Sequence, residues 1–191
     1  NEWASGHVEA PGLPWLQRFA LAPFPTWTYC IGDLILKKRL FMRHGQNCTV
    51  IRYQISGGSP GSPRRVTLEL RPLLTCRSIH AVLRANDWPF AQRATGPSGV
   101  AVEAYPGAPR VYLATDAGQY SERGEWVYAL AYPYERLRGE HTEEDLYRPG
   151  FFAWTCEGDG ELTFAASTEP LDRLDGPAWE EAERERRAWL L

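Results

Sequence analysis

Val66, Leu68 and Leu70 alternate with Arg65, Thr67, Glu69 and Arg71, the two-residue period of a strand that buries one face and wets the other. Ile51, Tyr53 and Ile55 repeat the pattern against Arg52 and Gln54. Leu34, Leu36, Leu40 and Met42 share one parity while Lys37 and Arg39 take the other. Strands are predicted over these three segments, and further ones over 100–104, 110–114, 125–131, 151–156 and 161–167. With at least seven strands expected, a two-sheet sandwich accounts for the pattern better than a helical bundle. Gly57-Gly58-Ser59-Pro60-Gly61-Ser62-Pro63 reads as a surface hairpin connection between two of them, because glycine permits unusual dihedrals and proline interrupts ladder bonding.

Helical period is confined to the end of the chain. From Pro177, which suits a first helical turn, Trp179, Ala182 and Trp189 fall on one stripe. Glu180 with Arg184 and Glu183 with Arg187 are four-residue ion pairs. A second, shorter helix is predicted to start at Thr142, whose hydroxyl can cap a turn that has Asp145 three residues on. Residues 73–85 fit either a strand or a short helix. The division expected is a β-sandwich over 1–176 and a helix, or the start of an interdomain connection, over 177–191. The helix ends in Trp189-Leu190-Leu191 with no glycine cap or polar tail, so the natural chain is expected to continue.

Composition narrows the class. At 43% hydrophobic and 24% charged residues over 191 positions, the chain can bury a core of one-domain size. Its net charge of -3 gives no electrostatic drive toward nucleic acid or an anionic membrane. No run approaches the roughly 20 apolar residues that cross a bilayer, and the first residues do not read as a signal peptide. A cytoplasmic location is the expectation. Cys30, Cys48, Cys76 and Cys156 are scattered through candidate strands instead of stapling a loop-rich scaffold, which favours buried thiols.

Motifs for catalysis are weak. Gly96-Pro97-Ser98-Gly99 lacks the lysine of a phosphate cradle, and no Gly-x-Ser-x-Gly elbow occurs. His44 and Cys48 with Cys76 and His80 carry zinc-ligand chemistry. Residues four apart on a strand lie about 13 Å apart, however, and His44-Gly45-Gln46-Asn47 is better read as a hairpin turn, so no metal or other cofactor is assigned. Carboxylates gather at Glu140, Glu143, Glu144 and Asp145 next to Arg136 and Arg138. Glycoside hydrolysis needs two carboxylates about 5–9.5 Å apart across a sugar bond, which linear clustering does not establish, so no catalytic residue is assigned.

Beside that cluster stand Trp126, Tyr128, Tyr132 and Tyr134. Even positions of one strand share a face, and flat rings there can pack on sugars while Arg136, Glu143, Glu144 and Asp145 bond hydroxyls. Trp88 in Asn86-Asp87-Trp88-Pro89-Phe90 is a second platform. These nine residues are the candidates for carbohydrate binding or for a domain interface. Core packing is the competing role for the aromatics, and helix-start capping for the carboxylates.

Several segments together resemble the N-terminal domain of the bacterial and archaeal type of glycogen debranching enzyme. They are Phe24-Pro25-Thr26-Trp27-Thr28-Tyr29, Lys38-Arg39-Leu40-Phe41-Met42-Arg43-His44-Gly45-Gln46-Asn47, Val50-Ile51-Arg52-Tyr53 and Leu68-Glu69-Leu70-Arg71-Pro72-Leu73, followed by Tyr134-Glu135-Arg136, Glu143-Glu144-Asp145-Leu146-Tyr147-Arg148-Pro149-Gly150 and Ala166-Ser167-Thr168-Glu169. They keep their order over about 150 residues, from Leu13 to Glu169. The resemblance implies a mainly β, mutarotase-like supersandwich followed by a helical domain that carries the amylo-1,6-glucosidase site. It implies α-1,6-branch hydrolysis for the complete protein and no hydrolysis by this span. The family's glycine-rich opening is absent or shortened here, which leaves open whether 1–176 holds the whole sandwich. The expected partners are the C-terminal helical catalytic domain and a branched α-glucan. The competing expectation is a free-standing sugar-binding protein or aldose epimerase on a related fold, with His80 or His141 and Glu143 as its acid and base.

Overall fold

The computed structural model describes residues 3, 5, 6, 12–58 and 64–190, with the side chain of Arg136 outside the description. After a 3-10 turn at Leu13–Trp15, eleven strands follow among these residues: β1 Leu16–Ala20, β2 Thr26–Ile31, β3 Leu34–Met42, β4 Cys48–Gly57, β5 Arg65–Leu70, β6 Ala91–Gly96, β7 Gly99–Glu103, β8 Val111–Thr115, β9 Gln119–Ala131, β10 Glu143–Glu157 and β11 Gly160–Ser167. A single-turn helix α1, Pro133–Leu137, joins β9 to β10, and α2, Gly176–Leu190, follows β11. The strands form a large antiparallel sheet of order β1-β2-β3-β4-β11-β8-β7-β6 and a small one of order β5-β10-β9. The chain is therefore mainly β and two-sheeted, as its alternation predicts.

The two sheets enclose the larger core, in which Tyr53, Val100, Val102, Leu113, Leu162 and Phe164 meet Tyr147 and Phe152. A second core lies on the opposite face of the large sheet, where Phe24, Phe41, Cys48, Val50 and Ala165 receive Leu171, Leu174 and Trp179. This two-sided cover explains a departure from simple alternation. Ile51 and Tyr53 of β4 face the small sheet while Cys48 and Val50 face α2, so both parities are buried where a half-wetted strand is predicted. β1 and β2 enter neither core and extend the large sheet beyond the small one.

Three sequence expectations change. The segment after Thr142 is not a helix: Glu143 opens β10, which pairs with β9 from Glu143↔Ala131 onward, and the ladder outcompetes a local cap. The Gly/Ser/Pro stretch does not close a hairpin, because β4 and β5, which it connects, belong to different sheets; its residues 59–63 lie outside the described ones. Residues 73–85 are neither strand nor helix but a long loop pinned by one bridge, Leu74↔Tyr147. The helix expected from Pro177 is α2; all four cysteines are free thiols, but only Cys48 is buried as expected, while Cys30, Cys76 and Cys156 are half-buried.

The β9–β10 pair is tight at Gly150, where an added Cβ would lie 2.1 Å from the Ser121 carbonyl oxygen. Gly150→Ala is accordingly expected to push the two strands apart and to cost about 1–3 kcal/mol. A urea titration with an unshifted midpoint would contradict that.

Candidate functional site

β9 and β10 are two of the longest strands and contain two slips in register, between Glu144 and Leu146 and between Arg148 and Gly150. In each slip β9 carries one residue more than β10, the arrangement of a β-bulge. Gly124 (φ 53°) sits in one, beside Pro149, and Ala129 (φ 53°) in the other, opposite Asp145. Proline is tolerated at such a site because its missing N–H falls where the ladder is already broken. Ala129 occupies the left-handed region at a cost glycine would avoid. Asp145 holds it there: its Oδ1 accepts the Ala129 N–H at 2.8 Å while Oδ2 accepts the Ala85 N–H at 2.9 Å.

Glu144, next to that bulge, is completely buried. Its Oε1 accepts the Thr75 hydroxyl at 2.9 Å, the Arg77 Nε–H at 2.5 Å and the Leu83 N–H at 2.9 Å. Its Oε2 accepts Arg77 Nη2 at 3.0 Å and the Tyr132 hydroxyl at 2.7 Å. Burial by itself would raise this carboxyl, but the hydrogen bonds from Arg77, Tyr132, Leu83 and Thr75 outweigh it and hold the group below the usual carboxylate range. Burial and the bond to Glu144 push the Tyr132 phenol up to about 12. Glu144 is thus an ionised acceptor at neutral pH, with no proton to give and its lone pairs engaged. It ties the 75–83 loop to the sheet.

The remaining candidates divide between inside and outside. Trp126 packs on the core, edge-on to Phe90 (centroids 5.5 Å) and Tyr147 (5.6 Å), whereas Tyr128 is 58% exposed. The shared face expected from their parity is not formed, because Tyr128 lies at the bulge, which re-aims its side chain. Tyr134 does not continue the strand either: β9 stops at Ala131, and α1 carries Tyr134 out to 80% exposure. Glu143 faces Arg84 at 3.6 Å, a pair exposed at both ends and worth little. Trp88 donates its indole N–H to the Cys76 carbonyl at 2.9 Å and lies against Tyr105, ring centroids 4.6 Å apart. Arg136 falls within α1, and its side chain is outside the described residues.

Around Glu144 the 77–82 loop and the α1 segment enclose a groove of about 500 Å3 lined by Arg77, His80, Tyr132, Glu135, Arg138 and His141 among others. Ile79 lines it and is 85% exposed, and Leu137, at the end of the α1 segment that contributes Glu135, is 84% exposed. Sequence reading missed these two and Tyr105. An isolated apolar residue between polar ones has no period to mark it, and nothing in the neighbourhood of Arg77 announces its distant carboxylate.

Two further placements bear on the alternatives weighed from sequence. Cys48 lies in the core under α2, while Cys76 packs against the core on the other side of the large sheet, so the four zinc candidates are divided by the fold. His80 and His141 both line the groove, but Glu143 does not. Among the described residues no three His, Cys, Asp or Glu side chains gather as a metal shell.

A family model described as glycogen debranching enzyme N terminal matches residues 1–163. The chain belongs to this family. No curated protein matches it. In this debranching-enzyme N-terminal module the matched span runs through β10 and into β11, and so includes both bulges, Glu144 with its donors, and the groove. The stretch from Glu143 to Gly150 that carries the resemblance is therefore, in structure, the strand that anchors the 75–83 loop. Among the described residues no helix is long and apolar enough to cross a membrane.

Proposed function

We propose that this module is an accessory domain that supports a helical α-1,6-glucosidase domain of the same polypeptide and presents to it the groove between the 77–82 loop and α1. The observation that carries this reading is a contrast at one place: Glu144 and Asp145 are buried and saturated there while large apolar side chains stand in water. Ile79 lines the groove, Tyr134 and Leu137 lie on α1, whose Glu135 also lines it, and all three are at least 80% exposed; exposed large apolar side chains of this kind mark interaction surfaces. Glu144 and Asp145 spend their oxygens on backbone and on Arg77, Tyr132 and Thr75, which suits a rigid support for that surface and not acid–base chemistry. Hydrolysis of the branch then falls to the partner, where an acid protonates the leaving oxygen and a base activates water.

Direct glucan contact is a second part of the proposal, and the Trp88–Tyr105 pair supports it. Both rings are more than a third exposed and lie tilted at 47°, with the Trp88 indole N–H already bonded, so an aromatic face is fixed in place at little further entropic cost.

The test compares glucose release from a branched limit dextrin. The 191-residue chain is expected to release none. In the intact polypeptide the double substitution Ile79→Asp/Leu137→Asp is expected to lower the rate about 10–100-fold, by misplacing the catalytic partner, without moving the unfolding midpoint of this module. Release by the chain at the rate of the intact polypeptide, or an unaffected double variant, would overturn the proposal.

A further inference from the structure

On the α2 side of the large sheet, beyond the helix, the overhanging strands β1, β2 and β3 form a small cleft of about 210 Å3. Its lining includes Arg18, Thr26, Thr28, Lys37 and Arg39 from the strands and Arg184 from α2. The register explains why they converge. Arg18 pairs with Thr28 and Thr28 with Lys37, so the three form one row across the sheet. Neighbouring strands lie about 4.8 Å apart, which places the Arg18 and Lys37 backbones about 10 Å apart with a hydroxyl between them. Ala20, Thr26 and Arg39 form the next row.

The charges here are not balanced. Arg39 and Arg184 share Glu180, which also serves Arg52, and Arg184 reaches Glu181 at 3.4 Å. Arg18 and Lys37 have no ion-pair partner among the described residues. Four cations thus face two carboxylates, one of them shared with a fifth cation, in a chain whose net charge is -3. Like charges held across neighbouring rows of a sheet destabilise it, and an anion between them would remove that cost.

We propose that this cleft binds a phosphate group, either as the free ion or as the ester of a sugar. At about 210 Å3 it is smaller than the roughly 300–1,000 Å3 pockets that enclose whole ligands, so it suits one compact group and not a run of sugar rings. Its donors approach from three strands and a helix: forked guanidiniums, an ammonium as a point charge, and the Thr28 hydroxyl. A tetrahedral group with three free oxygens matches that spread, whereas a planar carboxylate offers two oxygens in one plane. Ala20 and Ala22 line the cleft with small side chains and leave it open.

Calorimetric titration of the chain at constant ionic strength, with inorganic phosphate, a hexose phosphate and the uncharged hexose, tests the assignment. Saturable binding of one or both phosphates, none of the hexose, and a loss of about tenfold or more in Arg18→Gln/Lys37→Gln are expected. The charge-conserving Arg18→Lys/Lys37→Arg variant is expected to retain binding. Tighter binding of the hexose phosphate than of inorganic phosphate would identify the ester as the natural source; equal affinities would identify the ion. Both substitutions lie outside the two cores, and an unchanged unfolding midpoint verifies that the variants are folded. Absence of saturable binding to either phosphate, or binding that survives Arg18→Gln/Lys37→Gln, overturns the proposal.

Discussion

Glu144→Ala is expected to cost about 3–5 kcal/mol, the loss typical of breaking a buried ion pair by removing one partner. Five hydrogen bonds from four residues converge on this side chain. Alanine would leave the Arg77 guanidinium without its counterion and the Leu83 N–H, the Tyr132 hydroxyl and the Thr75 hydroxyl without an acceptor. Against a total of about 5–15 kcal/mol for an ordinary domain, that loss populates unfolded chain. The 75–83 loop would be released first, so Leu83, 1% exposed in the shared core, should lose amide protection ahead of the sheets. Urea titration and hydrogen exchange measure both effects. A loss below about 1 kcal/mol would mean that the loop is held by Leu83 and the Leu74↔Tyr147 bridge instead.

Glu144→Gln separates charge from shape, and pH gives it a signature. The Glu144 carboxyl is lower in the folded chain than its ordinary value of 4.5. The unfolded chain therefore binds the extra proton first, and stability falls as pH drops through the folded value. Glu183 behaves alike: hydrogen bonds from Arg186 are the largest influence, burial opposes them, Arg187 adds to them, and the carboxyl sits at about 2. Its stabilising contribution is complete above about 4.5 and is lost between there and about 2. The stability gap between the parent chain and Glu144→Gln is expected to be widest at neutral pH and to narrow below pH 4.5. A gap independent of pH would contradict an ionised Glu144.

The strands that alternation reveals are those that bury a face. Val66, Leu68 and Leu70 read correctly because β5 has one wet and one covered face. β1, β2 and β6 were not legible: β1 and β6 are the two edges of the large sheet, where Leu16-Gln17-Arg18-Phe19-Ala20 and Ala91-Gln92-Arg93-Ala94-Thr95-Gly96 are largely exposed, and β2 is half-buried at both parities from Thr26 to Cys30, with no alternation of buried and exposed positions. Edge strands are held by the ladder on one side and need no apolar row. Thr142 misled for a related reason. A local cap is worth about 1 kcal/mol, and a fifteen-residue strand paired on both sides overrides it. Of the candidate site, the importance of 126–150 was legible in the clustering of aromatics and carboxylates. Its sense was not, because the fate of Glu144 depends on Thr75, Arg77 and Leu83, more than sixty residues away.

Glu180→Ala is the second substitution with a large expected effect, again about 3–5 kcal/mol. Arg39 and Arg52 stand directly opposite each other on β3 and β4, a like-charge pair that destabilises a sheet unless countered. Glu180, 3% exposed on α2, counters it: Oε1 accepts Arg39 at 2.5 Å and Arg184 at 2.7 Å, and Oε2 accepts Arg52 at 2.7 Å. The helix is thus attached by Trp179 in its small core, by Arg187, which donates to the Pro23 carbonyl at 2.5 Å and lies over the Phe24 ring, and by a carboxylate that the sheet needs as much as the helix does. Removing it should loosen α2, seen as faster amide exchange across 176–190, while the sandwich core stays protected. Replacing the group by Arg39→Met/Arg52→Met/Glu180→Met should recover most of the loss, since apolar side chains of similar volume escape the desolvation cost. If Glu180→Ala lay within about 1 kcal/mol of the parent, Trp179 and the Arg187 contacts with Pro23 and Phe24 would suffice to hold the helix. The same substitution leaves Arg39 uncountered, and Arg184 with Glu181 alone, at the cleft beside Arg18 and Lys37, so the destabilised variant should bind inorganic phosphate more tightly than the parent. Lower stability with higher anion affinity is an outcome that simple unfolding cannot produce.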